Sequence, residues 1–328
     1  MKIFLTGGTG FLGRALAATL VAAGHSVRAL ARPSVSRTPM PAGVEVVSGD
    51  VLDEESLARG VSGCDTVIHA AALVKMWVAD RSEFDRINVG GLRSMLRAAE
   101  SAGVARFLYV SSFIALGPTD GATGDEDWSP VGRVLHNDYE RTKTAADALA
   151  REAQSAGAPL VIVYPGVVYG PGELTDGSLM TKMIGDFMRR RVPYMGSGRE
   201  RICYAYIEDV VEGCRLALEK ASPGERFILG GENADYRELF ALLARVTGVP
   251  APRLHIPFLV LEWLGYGLRK QASLTHISPA ITDEVIRIYR HEWAFSSDLA
   301  VSRLGYRITP LEEGLRRTVE WLRSRVGA

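Results

Sequence analysis

Thr6-Gly7-Gly8-Thr9-Gly10-Phe11-Leu12-Gly13 lies between a short apolar run, Lys2 to Thr6, and an amphipathic stretch, Phe11 to Ala23. Two spacings are satisfied at once: Gly8, Gly10 and Gly13 form G-x-G-x-x-G, while Gly7, Gly10 and Gly13 form G-x-x-G-x-x-G. Residues without Cβ at these places permit a tight turn and close backbone approach to a pyrophosphate, and a helix that begins there offers free N–H groups and its dipole to that charge. A strand, this turn and a helix in succession therefore predict a dinucleotide-binding α/β unit.

The rest of the first half repeats the alternation. Short apolar, β-branched runs at Ser26–Leu30, Val44–Ser48, Thr66–His69, Phe107–Ser111 and Leu160–Tyr164 are separated by helical patterns at Glu54–Val61, Phe84–Ser101 and Asp138–Ala156. Strands apolar on both faces and joined by helices predict a doubly wound, Rossmann-type parallel sheet, the α/β class. After Pro165 the alternation weakens. Segments 166–200 and 233–292 read as helical or irregular, whereas Arg201–Ile207, Asp209–Lys220 and Arg226–Leu229 read as sheet-type units returning to the first domain. The expected organisation is interleaved: residues 1–165 plus about 201–232 bind the cofactor, and about 166–200 plus 233–328 form a smaller, mostly helical substrate domain.

Charge and cysteine usage narrow the partners. The 38 basic residues balance 38 acidic ones, so no basic field exists to displace counterions from nucleic acid. Three cysteines without a C-x-x-C pattern suit a cytoplasmic protein with no disulfide framework and no structural metal site. Phe258 to Leu268 is apolar but short of the ~20 residues needed to cross a bilayer; it contains Glu262 and reads either as a packing helix or as one that touches lipid or a partner.

The end of the second strand speaks to cofactor choice. An acid there would bind the ribose 2′-hydroxyl of NAD, yet Val27-Arg28-Ala29-Leu30-Ala31-Arg32-Pro33 has none, and the next acid is Glu45. Arg32 offers a 2′-phosphate a planar fork of donors, and Arg37 a second charge. NADP(H) is thus expected in preference to NAD(H). Asp50 and Val51, after the third strand, are placed to meet the adenine.

Tyr139 and Lys143 stand at i, i+4 on one helix face, and Ser111-Ser112 ends the strand at 107–111, at the carboxyl edge where α/β sheets place ligands. A nearby ammonium favours the phenolate and lowers a phenol's pKa. The expectation is that Lys143 does this for Tyr139.

These residues, with His69-Ala70-Ala71 and Pro165-Gly166-Val167-Val168-Tyr169-Gly170-Pro171, resemble the extended short-chain dehydrogenase/reductase superfamily over essentially the whole chain. Tyr206-Ile207-Glu208-Asp209-Val210 and Ile308-to-Leu315 are similar to later signatures, and the nearest branch is that of dihydroflavonol-4-reductase-like and 3β-hydroxysteroid-dehydrogenase-like enzymes. The resemblance implies Ser112, Tyr139 and Lys143 as catalytic residues, with Asn88 at the family's helix asparagine. It implies a cofactor cleft lined by Thr6, Gly7, Gly8, Gly10, Phe11, Leu12, Gly13, His69, Ala70, Ala71, Ser111 and Pro165 to Val168. A homodimer is a superfamily expectation.

Sugar dehydratases of the superfamily need an acid pair where this chain has Phe113 and Ile114, and nucleotide-sugar epimerases carry an arginine where it has Ile202. Met76, Trp77, Phe113, Ile114, Tyr169, Met180 and Met183 are expected to wall an apolar pocket. Reduction of a small hydrophobic carbonyl is the reading this favours, with nucleotide-sugar epimerisation and non-catalytic NADP binding as alternatives.

Overall fold

The computed structural model describes residues 1–32, 39–75, 77–192, 194–195, 199–279 and 281–326. Seven parallel strands form the main sheet: β1 (Lys2–Thr6), β2 (Ser26–Ala31), β3 (Val44–Ser48), β4 (Thr66–His69), β5 (Arg106–Val110), β6 (Leu160–Pro165) and, later in the chain, β10 (Arg226–Leu229). Their order is β10-β6-β5-β4-β1-β2-β3, with Ile3 beside Thr66 on one side of β1 and Lys2 beside Ser26 on the other. The winding direction reverses between β1 and β4. Crossovers leave that point to opposite sides, opening a crevice at the carboxyl ends of these two strands.

Helices cover both faces. The first set is α1 (Phe11–Ala22), α2 (Glu54–Val61), α3 (Ser82–Phe84), α4 (Gly91–Ser101) and α5 (Asp138–Ser155). Local chemistry sets their starts: Asp53 caps α2 by accepting from Glu55 N–H, and Asn137 caps α5 by accepting from Glu140 N–H at 2.8 Å. The helix expected at Phe84–Ser101 is interrupted. Asp85–Gly90 forms a π-helical turn before α4 resumes, and Asn88 sits in that turn, a device often found beside functional sites.

Most of the remaining elements build a second layer over the carboxyl edge, and two helices return to the main sheet. In chain order these elements are β7 (Val167–Tyr169), α6 (Leu179–Met188), β8 (Tyr194–Met195), β9 (Ile202–Tyr206), α7 (Ile207–Lys220), β11 (Asn233–Ala234), α8 (Tyr236–Thr247), β12 (Leu254–His255), α9 (Phe258–Thr275), α10 (Asp283–Tyr289), α11 (Asp298–Leu304) and α12 (Leu311–Val326). The strand expected at Arg201–Ile207 does not rejoin the first sheet. As β9 it runs between β7 and β11 in a separate three-stranded sheet, while α7 packs on the main sheet's core and β10 joins its edge. All five residues of β9 are buried, so continuous apolarity was a sound signal for a covered strand but silent about which sheet receives it. Tyr169, Phe187, Leu239, Phe240 and Leu315 form the second layer's own core. No described helix is long and apolar enough to cross a membrane.

Candidate active site

The crevice at the sheet's switch point opens into one cleft of about 980 Å³ that runs from the glycine turn to the second layer. At its floor the turn needs its glycines for measurable reasons. Gly7 has φ +76°, and a Cβ there would fall 2.5 Å from the Ala70 carbonyl; a Cβ at Gly13 would fall 2.1 Å from the Gly7 oxygen. The end of β4, the turn and α1 are thus in backbone contact. Gly10 caps α1 without a side-chain bond, and the helix has no acid in its first turn, so its N–H groups face the cleft uncompensated. Gly7, Gly10, Phe11, Leu12 and Gly13 all line the space, as do Val51, Ala70, Ala71, Ser111 and Pro165 to Val168.

Thr6, Gly8 and His69 do not line it and lie behind this floor. Thr6 Oγ1 is 2.8 Å from His69 Nδ1, both side chains being buried. Strand alternation explains the placement of Thr6 and His69, whose side chains end β1 and β4 pointing into the core, while Gly8 packs against Ala29 and Leu5. Burial, with the Lys143 charge adding to it, lowers the His69 pKa from 6.5 to about 3. The unfolded chain binds this proton where the folded chain refuses it. Stability is therefore full above pH 6.5 and falls as pH drops from there toward 3. A loss on the order of 5 kcal/mol is expected across that interval, and His69→Gln should flatten the acid limb of urea midpoints measured against pH.

At the adenine end, Arg32 and Asp50 line the cleft together, with Arg32 Nε 3.9 Å from Asp50 Oδ2 and both side chains part-exposed. Arg14 lines it too, its guanidinium reaching the Pro39 carbonyl and, at 3.6 Å, the Met40 sulfur. The sequence reading missed Arg14, although its place one residue past the glycine turn was a usable signal. Arg37 and Met76 fall outside the described residues.

Ser112 leaves β5 and caps a 3₁₀ turn, Phe113–Ala115, by accepting from Ile114 N–H at 3.3 Å. Tyr139, in the first turn of α5, lines the cleft with it. The expected lowering of Tyr139 by Lys143 is not what this arrangement gives. Burial raises the phenol from 10.0 to about 12, and the Ser112 hydroxyl is what opposes it. Lys143 Nζ instead donates to the Val110 carbonyl at 3.3 Å and the Tyr109 hydroxyl at 3.5 Å, over the Tyr109 ring. Burial brings that ammonium down to about 8, with Asp147 holding it up. Asp147 accepts from Ser111 Oγ at 3.1 Å, so the Ser111 hydroxyl is turned from the cleft toward this anion.

Asn88 is buried and does not line the cleft. Its Oδ1 accepts from Leu73 N–H at 2.7 Å and its Nδ2 donates to Thr142 Oγ1 at 3.0 Å, tying the wall after β4 to the helix that carries Tyr139 and Lys143. A catalytic role for Asn88 is therefore replaced by a positioning one.

The outer cleft is apolar. Phe113, Ile114, Met180 and Met183 line it as expected, joined by Ile202, Tyr204, Tyr236, Ile288, Tyr289 and Trp293 from the second layer. Apart from Ile202, which stands where nucleotide-sugar epimerases carry an arginine, no local pattern marked the latter group, because they meet the site only through the fold. Trp77 borders a separate small depression behind Tyr139, with Arg81 and Asn137. Tyr169 is corrected as a pocket residue: it is 1% exposed, packs on Tyr206, and its hydroxyl donates to the Leu311 carbonyl at 3.4 Å.

Residues 3–230 match the sequence profile of the NAD dependent epimerase/dehydratase family. A Synechocystis protein provisionally named a dihydroflavonol 4-reductase is 32% identical, over 98% of this chain and 94% of the relative. The 4-hydroxy-2-methyl-3-oxo-4-farnesyl-3,4-dihydroquinoline-1-oxide ketoreductase of Stigmatella aurantiaca is 31% identical, over 93% of this chain and 92% of the relative. The crystal structure of gox2253 superposes with a TM-score of 0.85 at 31% identity, over 99% of this chain and 98% of that one. UDP-glucose 4-epimerase from Thermotoga maritima shares the fold with a TM-score of 0.80 at 23% identity, over 99% of this chain and 100% of that one.

Proposed function

The chain belongs to the NAD-dependent epimerase/dehydratase family of NAD(P)-dependent oxidoreductases, and from that premise we propose that it is an NADP(H)-dependent carbonyl reductase and alcohol dehydrogenase acting on a small apolar substrate. The observation that supports this reading is the meeting, in one cleft, of Ser112, Tyr139 and Lys143 with an apolar outer wall. The glycine turn and the α1 N-terminus fit a pyrophosphate, and Arg32 with Arg14 fit a 2′-phosphate. Pro165 to Val168 and Lys143 flank the place for the nicotinamide and its ribose. When bound, the dinucleotide supplies or accepts hydride.

The chain's own residues handle the proton. A phenol raised to about 12 carries its proton at neutral pH, so Tyr139 is charged with the proton that a carbonyl oxygen takes up during reduction. Ser112, which lines the same cleft, holds the same oxygen. The Lys143 ammonium, one turn along the helix, holds the Val110 carbonyl and the Tyr109 hydroxyl at the end of β5. Asn88 and Asp147 hold this set in place. Ile202 lies in the apolar wall where a nucleotide-sugar epimerase would have an arginine, which supports a hydrophobic carbonyl over a sugar diphosphate.

Arg32→Ala is expected to weaken NADPH binding by about 1–3 kcal/mol, the range for a charged hydrogen bond, and to leave NADH binding little changed. Titrations of both dinucleotides check this, and equal losses for the two would refute the NADP assignment.

A further inference from the structure

α9 turns an unusual surface to water. Leu259, Val260, Trp263, Leu264 and Tyr266 are all exposed, Trp263 at 70% and Leu259 at 65%. The opposite side is committed to the fold: Leu261, Gly265 and Ala272 are buried, with Gly265 against the backbone of Thr282 and Asp283. Glu262 is the only carboxylate in α9, and it faces inward to pair with Arg290 at 2.7 Å and Arg287 at 3.7 Å. The apolar side chains on the outer face therefore have no acid among them. The next turns add cations around an aromatic ring, with Arg269 5.4 Å and Lys270 5.5 Å from the Tyr266 centroid. Arg269 is answered by Asp283 at 2.6 Å, whereas Lys270 is exposed.

An exposed apolar patch of this kind marks a docking surface, and charge selects the occupant. A cation-bearing face without an acid is not complementary to a second copy of itself, since the two lysines would meet like charge with like. Exposed Leu, Val, Trp and Tyr side chains with a cation and no acid among them are the composition by which an amphipathic helix lies on an anionic lipid surface. We propose that α9 is a lipid-docking helix that seats the protein on an anionic membrane surface with Leu259, Val260, Trp263 and Leu264 in the interface and Lys270 at the headgroups. The seat lies next to the site, because α9 packs on α10, whose Val285, Ile288 and Tyr289 line the apolar end of the cleft. The inference rests on this surface alone and does not depend on the reaction assigned above.

The test is flotation of the full chain with vesicles of phosphatidylcholine alone and of phosphatidylcholine mixed with phosphatidylglycerol. The expected result is flotation with the anionic vesicles, reduced at least about ten-fold by the double substitution Trp263→Ser/Leu264→Ser. Lys270→Glu should reduce it on anionic vesicles. Both variants should still bind NADPH, which shows that they fold. Failure of the wild type to float, or flotation of the double variant like wild type, overturns the proposal. A wild-type dimer that the double substitution dissociates, with no flotation, assigns this face to a second copy and overturns it as well.

Discussion

Tyr139→Phe is expected to lower turnover of carbonyl substrates by about 10²–10⁴-fold, the range for a positioned general acid, while NADPH binds as tightly as before. The substitution removes one oxygen and keeps the ring, which packs against the core around α5. What is lost is the proton. Burial keeps the phenol protonated at neutral pH, with its pKa raised to about 12 against the opposing influence of the Ser112 hydroxyl. Without the Tyr139 hydroxyl, the oxygen of a carbonyl accepting hydride has Ser112 as its one remaining partner from this pair, and serine is a far weaker acid. Single-turnover measurements with dinucleotide already bound separate the chemical step from binding. Unchanged turnover would remove Tyr139 from the mechanism, and loss of NADPH binding in parallel would mean that the ring, not the hydroxyl, is what the site needs.

Gly13→Ala is expected to destabilise the fold by about 2–4 kcal/mol, as for a clash in a fully packed region, and to abolish tight dinucleotide binding. The added Cβ would lie 2.1 Å from the Gly7 oxygen and 2.7 Å from its carbonyl carbon, so the neighbour that must move is backbone. Moving it displaces Gly7, whose own position is fixed against Ala70 and Ala71. The strain therefore passes from α1 into the turn and the end of β4, the three pieces that make the cleft floor. Gly267→Ala, with open space around its Cβ in α9, is the control and should be neutral or slightly stabilising. Urea unfolding of the two variants and a dinucleotide titration check the pair. A Gly13→Ala protein as stable as the control would contradict the packing described here.

Sequence and structure part company at identifiable places. The glycine turn, the strands through β6 and the Ser112–Tyr139–Lys143 set were legible because each rests on local rules: residues without Cβ at a tight turn, apolar runs of strand length, and i, i+4 spacing on a helix. Three things were not. β9 has the apolarity of a covered strand, but which sheet receives it is decided by tertiary packing. Asn88 is placed by a π-helical turn that helical periodicity does not reveal, and it contacts Leu73 and Thr142 instead of the cleft. Tyr169 sits in a segment correctly placed beside the cleft, since Val167 and Val168 line it, yet at the far end of β7 its ring packs into the second layer's core. The relation of Tyr139 to Lys143 was legible as geometry and not as electrostatics. Spacing puts them on one face, but burial and the competing Tyr109 and Val110 acceptors decide where the ammonium sits.

The central claim is net hydride transfer to an apolar carbonyl with Tyr139 as proton donor. It is tested most directly by incubating the protein with NADPH deuterated at the nicotinamide C4 and a series of apolar ketones, then following NADPH absorbance and the mass of the alcohol formed. The account predicts one deuterium on the carbinol carbon for each deuteride-transferring NADPH oxidised, and no such product from Tyr139→Phe on the same timescale. Inertness toward every ketone, together with interconversion of UDP- or GDP-sugars without net change in the dinucleotide, would contradict it.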